Sequence, residues 1–186
     1  MRGAFARTAR FLLFDVFMEL DLRMHAGRDD SGAEKQPVGL RSPPLLLHVD
    51  DDEDVAFLLR RAFAKQMDHW SLLHCDSGSE ALDYLRRARA GELPVPAMLL
   101  LDVKMPSMGG LEVLEWVRDN IPEVPAIMLS SSVLLEDRLR ARDLGSVGYF
   151  EKSPTFSEII EFLRSWEARQ SLAQDADLAR GVSRAA

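Results

Sequence analysis

Two short apolar runs in this chain each end on aspartate. Residues 45–49 read LLLHV and lead into Asp50, Asp51 and Asp52, and a later run, AMLLL, leads into Asp102. A run of leucine and valine of this length, closed by a turn signal, is typical of a strand that is buried on both faces. Because ligands bind at the carboxyl ends of the strands in an open α/β sheet, we expect these carboxylates to meet at one edge of the sheet.

Carboxylates that are brought together repel one another, and a hard divalent cation relieves that repulsion. Mg²⁺ accepts few carboxylates, retains water ligands and commonly shares its site with phosphate. The two strand ends therefore predict a Mg²⁺-dependent phosphate site.

The composition narrows the class of protein. With 186 residues the chain suits one domain of ordinary size with some excess. The single cysteine, Cys75, permits neither a disulfide nor a zinc framework and fits a reducing compartment, so we expect a cytoplasmic protein. The net charge of -7 argues against a general nucleic-acid surface, and we expect no nucleic-acid partner.

Five apolar runs of strand length alternate with helix-like stretches, which is typical of an α/β protein with a doubly wound parallel sheet. The sequence contains no Gly-rich phosphate loop, helix-turn-helix or zinc-ligand spacing, so we expect the chemistry to come from side chains at strand ends. The predicted strands cover residues 45–49, 71–75, 97–101, 126–129 and 148–151. The predicted helices lie around residues 55–67, 79–90, 111–117, 139–144 and 156–163.

The two ends of the chain fall outside this alternation. Residues 1–43 are expected to form an extension and linker that is poorly ordered, and residues 170–186 a polar, Ala-rich tail. The apolar stretch at residues 11–18 is interrupted by acids and falls short of the roughly 20 residues needed to span a bilayer, so we expect neither secretion nor membrane insertion. Residues 44–169 form the predicted domain.

Side chains suited to phosphoryl transfer follow the predicted strands. Asp102 is a single acid that leaves a buried strand and is the candidate nucleophile, whereas Asp50 and Asp51 are better placed to help hold a metal. Ser130 follows the fourth strand and can donate a hydrogen bond to a phosphoryl oxygen, and Lys152 follows the fifth and can pair with one as a point charge. These side chains converge if the strands are parallel.

Four segments in this order closely resemble the receiver domain of two-component response regulators, over about residues 44–169. They are VDDD at residues 49–52, LLDVKMPSMGG at 100–110, LSS at 129–131 and GYFEK at 148–152. The resemblance implies a flavodoxin-like sheet of five parallel strands in the order 2-1-3-4-5 with five helices. It also implies a phosphoacceptor that catalyses its own phosphorylation and dephosphorylation, and is not an enzyme in the usual sense.

The resemblance further implies roles for the strand-end residues. Asp102 would accept a phosphoryl group from a sensor histidine kinase or a histidine phosphotransfer protein. Asp50 or Asp51 would coordinate Mg²⁺ together with Asp102, and the backbone carbonyl of Lys104 would complete the protein ligands. Lys152 would pair with the phosphoryl group.

A switch is implied as well, with Ser130 and Tyr149 as its pair. An added phosphoryl group brings charge and acceptor oxygens that can recruit Ser130, and Tyr149 would turn into the vacated space. The surface of the fourth helix, fifth strand and fifth helix would then change and bind a downstream protein, with a phosphorylation-linked homodimer as a further possibility. Because no output domain follows in the sequence, a stand-alone, chemotaxis-regulator-like receiver is expected.

Three departures from the family pattern accompany this interpretation, and one is that Lys104 and Ser132 occupy the two positions at which receivers vary. Ser153 separates Lys152 from Pro154, where the family usually has proline directly after the lysine, and Gly109 replaces a common acid.

Two alternative functions compete with this interpretation. A haloacid-dehalogenase-type phosphohydrolase would place its nucleophile in a first-strand Asp-x-Asp pattern and would need a cap domain. An inactive pseudo-receiver would typically lose the acceptor or the acidic pair. His48, inside the first strand, is expected to be a packed core residue.

Overall fold

The computed structural model describes residues 43–131 and 134–183, and of residues 173–183 it describes the backbone alone. The predicted N-terminal extension therefore lies outside the described residues, apart from its last position. All described residues belong to one compact unit, Ser42–Ala186.

Five parallel strands form the sheet. They are β1 (Leu45–Val49), β2 (Ser71–Cys75), β3 (Met98–Asp102), β4 (Ala126–Ser130) and β5 (Gly148–Glu151), in the order β2-β1-β3-β4-β5. The doubly wound fold and the 2-1-3-4-5 order are confirmed. Three predicted boundaries were wrong by one residue. The third strand begins at Met98 and not at residue 97, and the third and fourth strands each include the first polar residue, because Asp102 is in register with Leu129 and Ser130 with Glu151.

Five helices connect and follow these strands within the described residues. They are α1 (Glu53–Gln66), α2 (Gly78–Arg89), α3 (Gly110–Asn120), α4 (Leu135–Asp143) and α5 (Ser157–Ser183). The predicted polar tail from residue 170 is thus helical as far as Ser183. None of the helices in the described part of the chain is long and apolar enough to cross a membrane.

The core lies on both faces of the sheet, and every residue of β1, β3 and β4 is buried. Continuous apolar strands of this kind are what a parallel sheet covered by helices requires. On one face, apolar residues of the central strands pack against α1 and α5. The main members of this cluster are Leu46, Leu59, Phe63, Leu100, Ile127, Leu129, Ile159 and Leu163.

Tight helix starts bring the strand ends close to the helices. Asp52 caps α1, with its Oδ1 accepting hydrogen bonds from the amides of Asp54 at 2.9 Å and Val55 at 3.3 Å. At the start of α3, a Cβ atom on Gly110 would collide with the carbonyl oxygen of Asp102. Glycine at this position therefore lets α3 begin directly against the end of β3.

Candidate functional site

Three aspartates meet at the carboxyl edge of the sheet. Asp50 directly follows β1 and is fully buried, Asp102 ends β3 and is 3% exposed, and Asp51 is exposed. One carboxylate oxygen from each lies within 4.8 Å of the other two. Hard oxygen donors grouped at this spacing, one of them open to solvent, fit a Mg²⁺ ion that keeps several of its waters.

The ammonium group of Lys152 reaches into this acidic cluster. Its Nζ lies 2.9 Å from Oδ2 of Asp50 and 3.3 Å from Oδ2 of Asp102. The backbone amide of Lys152 donates to the carbonyl of Ser130 at 2.8 Å, which ties the lysine to the end of β4. The described residues contain no cis peptide bond, and Lys152 reaches both carboxylates even though Ser153 stands where the family usually has proline.

The surroundings shift the pKa values of the two buried aspartates in opposite directions. Burial raises the pKa of Asp102 to about 6, although Lys152 and the amide of Lys104 act in the opposite direction. Burial also acts to raise the pKa of Asp50, but contacts with His48, Lys152 and the Asp52 amide outweigh it and hold that pKa below its usual value. Burial acts to lower the pKa of Lys152, and the two carboxylates outweigh it, so this pKa is raised.

Two buried histidines of the sheet, His48 and His74, contact Asp50. The sequence analysis did not predict these contacts. His48 Nε2 lies 3.5 Å from Oδ2 of Asp50, and a ring nitrogen of His74, Nε2, is 2.8 Å from the carbonyl oxygen of Asp50. His48 is a buried core residue, as expected, but it also touches the acidic cluster. Its position two residues before Asp50 in a strand was the available signal, because alternate residues share a face.

The other predicted site residues, Ser130, Tyr149 and Lys104, lie around the carboxylate cluster. Ser130 is buried at the end of β4. Tyr149 is half-buried on β5 and in register with Met128, so its side chain lies on the same face of the sheet as Ser130, one pleat away. Its ring has the guanidinium of Arg138 5.8 Å from its centroid. Lys104 has an exposed side chain, and its amide contacts the Asp102 carboxylate.

The edge of the sheet therefore combines a carboxylate cluster, a lysine shared between two of its members and a buried hydroxyl. This set can bind a divalent cation and pair with a phosphoryl group. A buried carboxylate with a nearby cation can also act as a nucleophile toward phosphorus.

Comparisons with known proteins agree on one family. The model of the response regulator receiver domain matches residues 46–164, more than half of the chain. The probable transcriptional regulatory protein TcrX of Mycobacterium tuberculosis is 30% identical over 123 residues, which are 66% of this chain and 49% of TcrX. This chain thus spans about half the length of that relative. Because TcrX is named as a transcriptional regulator, the expectation that nucleic acid plays no part is not supported.

Solved structures show the same relationship. The bacteriophytochrome response regulator AtBRR is 30% identical with a TM-score of 0.57, over 65% of this chain and 90% of that one. Response regulator TrrA of Thermotoga maritima, solved in complex with Mg²⁺-BeF, has a TM-score of 0.56 at 24% identity, over 66% of this chain and 97% of its own, and supports the fold alone. With the sheet order and the family match in agreement, the chain belongs to the response regulator receiver domain family, whose members are phosphoacceptors in phosphorelay signalling.

Proposed function

We propose that this protein accepts a phosphoryl group on Asp102 in a Mg²⁺-dependent reaction, from the phosphohistidine of a sensor kinase or phosphotransfer protein. The observation that carries the proposal is the convergence of Asp50, Asp51 and Asp102 within 4.8 Å, with the ammonium group of Lys152 2.9 Å from Asp50 and 3.3 Å from Asp102. Such a cluster supplies the nucleophile, the metal ligands and a cation in one place.

In the proposed reaction, a carboxylate oxygen of Asp102 attacks the phosphorus atom. The new P–O bond forms as the P–N bond to the donor imidazole breaks, and the imidazole keeps the electron pair and takes up a proton. Lys152 turns from the carboxylates to a phosphoryl oxygen, and the Ser130 hydroxyl donates to another. Burial of Asp102 keeps water away from the reacting carboxylate.

The proposed metal ligands are the carboxylates of Asp50, Asp51 and Asp102 and the backbone carbonyl of Lys104. The donor set consists of oxygen atoms alone, which suits a hard cation such as Mg²⁺. Bound Mg²⁺ would offset the negative charge that accumulates when a phosphoryl group meets three carboxylates.

Phosphorylation is proposed to act on the surface formed by α4, β5 and α5. Ser130 and Tyr149 lie on the face of the sheet that α4 covers, and a cavity of about 290 Å³ lies between α4 and β5. Leu135, Leu139 and Val147 line this cavity and are exposed, Leu135 by 69%. An apolar surface of this kind can bind a downstream protein or a second copy of the chain. The lone buried Cys75 agrees with the cytoplasm as the compartment.

The test is phosphorylation of the full chain by acetyl phosphate with Mg²⁺, followed by intact mass, with Asp102→Asn and excess chelator as controls. We expect one added phosphoryl group that requires both Mg²⁺ and Asp102, together with amide NMR shifts at Ser130 and Tyr149. Undiminished incorporation in the Asn variant would contradict the site. If the wild-type protein takes up neither phosphate nor beryllofluoride, it is a pseudo-receiver that acts through protein contacts alone.

A further inference from the structure

A buried histidine, His48, lies next to the acidic cluster, and among the residues described its ring lacks the hydrogen bonds that buried polar groups normally make. The side chain of His48 is fully buried in β1, between Leu46 and Asp50 along the strand, with Leu100 of β3 and His74 of β2 beside it in register. Within the described part of the chain, neither of its ring nitrogens makes a hydrogen bond of good geometry. Its one polar contact there is the 3.5 Å approach of Nε2 to Oδ2 of Asp50.

A buried polar ring without a partner costs free energy, and a strand of leucine and valine could have held an apolar residue instead. The 3.5 Å separation is too long for a strong hydrogen bond. The ammonium group of Lys152 faces both carboxylate oxygens of Asp50: it donates a hydrogen bond to Oδ1 at 3.1 Å and lies 2.9 Å from Oδ2 as an ion pair. Among the described residues, Oδ2 itself accepts no hydrogen bond of good geometry. In this part of the chain Oδ2 is therefore held by the charge of Lys152 alone, and His48 Nε2, at 3.5 Å, is a nearby group that can donate a hydrogen bond to it.

We propose that His48 is a positioning residue that takes over Oδ2 of Asp50 when Lys152 turns to the phosphoryl group. This inference rests on the proposed function, in which Lys152 leaves the carboxylates. Asp50 would then keep two anchors, His48 Nε2–H at Oδ2 and the Asp52 amide, which is 3.0 Å from Oδ1. The carboxylate stays aimed at the metal while the charge around it changes. A partner behind a ligand commonly sets metal affinity in this way.

The distinguishing variants are His48→Leu, which removes the donor but suits an apolar strand, and His48→Gln, which keeps an N–H donor at similar reach. His69→Leu is the matched control, because it makes the same chemical change at a half-exposed histidine outside the site. All three are made in the full chain, and their free energies of unfolding are measured in urea with chelator present.

Two affinities are then compared by amide NMR titration, for Mg²⁺ alone and for beryllofluoride at saturating Mg²⁺. We expect His48→Leu to bind Mg²⁺ within about twofold of wild type, since Lys152 still holds Asp50, and beryllofluoride about tenfold more weakly. His48→Gln should restore most of the loss, and His69→Leu should show none. A purely structural role would change the stability without separating the two affinities.

Equal beryllofluoride affinity in His48→Leu and wild type would overturn the inference and leave the proposed function standing. Equal loss of both affinities would also overturn it, because the role would then not depend on Lys152. A wild-type protein with no beryllofluoride response would overturn both. The imidazole ¹⁵N spectrum of the wild type needs no variant: the His48 Nε2–H should become slower to exchange with water on addition of beryllofluoride, and an unchanged signal would contradict the proposal.

Discussion

Burial of the Asp102 carboxyl group disfavours its ionised form. Its pKa is raised from 3.8 to about 6, so folding disfavours its ionised form. In the absence of metal, this effect is absent at low pH, grows between pH about 4 and 6, and is fully present above that range. We expect Asp102→Asn to raise the free energy of unfolding of the metal-free protein by about 2 kcal/mol at neutral pH, and the gain to vanish as the pH falls toward about 4.

Urea unfolding of both proteins across this pH range, with chelator present, measures the difference. Histidines such as His48 titrate in both proteins, so the difference between them isolates Asp102. Asp68→Asn is the matched control, because the Asp68 side chain is 90% exposed and its replacement should change stability by no more than about 0.5 kcal/mol. A gain at Asp102 that persists at pH about 4 would show that the carboxylate charge is not its cause.

The ammonium group of Lys152 offsets the negative charge of the same carboxylate cluster. Lys152→Met keeps the length of the side chain and removes the charge, which leaves Asp50 and Asp102 without the cation 2.9 and 3.3 Å away. We expect the metal-free protein to lose up to about 3 kcal/mol of stability at neutral pH. Phosphorylation should remain possible, but the NMR shift of Tyr149 that follows it should be lost. A full Tyr149 response in this variant would exclude the lysine from the switch.

Among the elements, α5 makes polar contacts with the rest of the domain far from the acidic cluster, and Glu167 provides one group of them. Oε1 of Glu167 accepts a hydrogen bond from the indole of Trp70 at 2.7 Å and lies 2.8 Å from Nε2 of His69. Glu167→Ala would leave the largely buried indole N–H without its acceptor, so we expect a loss of about 1 to 2 kcal/mol in urea unfolding. Glu167→Gln should lose less, because its amide oxygen can still accept.

Glu161→Ala on the same helix is the matched control, since the Glu161 side chain is exposed. Its free energy of unfolding should stay within about 0.5 kcal/mol of wild type. An equal loss in the two alanine variants would mean that the contact with Trp70 is not the cause, because alanine is the better helix former and helix propensity alone would not lower the stability.

For the whole molecule, the sequence predicts the features that follow from apolar strands ending in polar residues. It misses the features that depend on packing between residues far apart in the chain. The five strands and the edge where Asp102 and Lys152 meet follow from apolar runs that end in polar residues. The length of α5 does not, because the polar segment after residue 170 has no apolar period that would indicate a helix. The contact of Glu167 with Trp70 joins residues 97 apart, and periodicity carries no information about such a distance.

Mg²⁺ binding should couple the site to the stability of the entire fold. A ligand that binds the folded state alone adds about 2.7 kcal/mol at a concentration one hundred times its Kd. Asp51 tests this coupling because it belongs to the carboxylate cluster yet is exposed. We expect Asp51→Asn to leave the metal-free stability within about 0.5 kcal/mol of wild type and to lose most of the increment that Mg²⁺ adds in urea unfolding of the full chain. Chelator should abolish the increment in the wild type, and an undiminished increment in the Asn variant would remove Asp51 from the metal ligands.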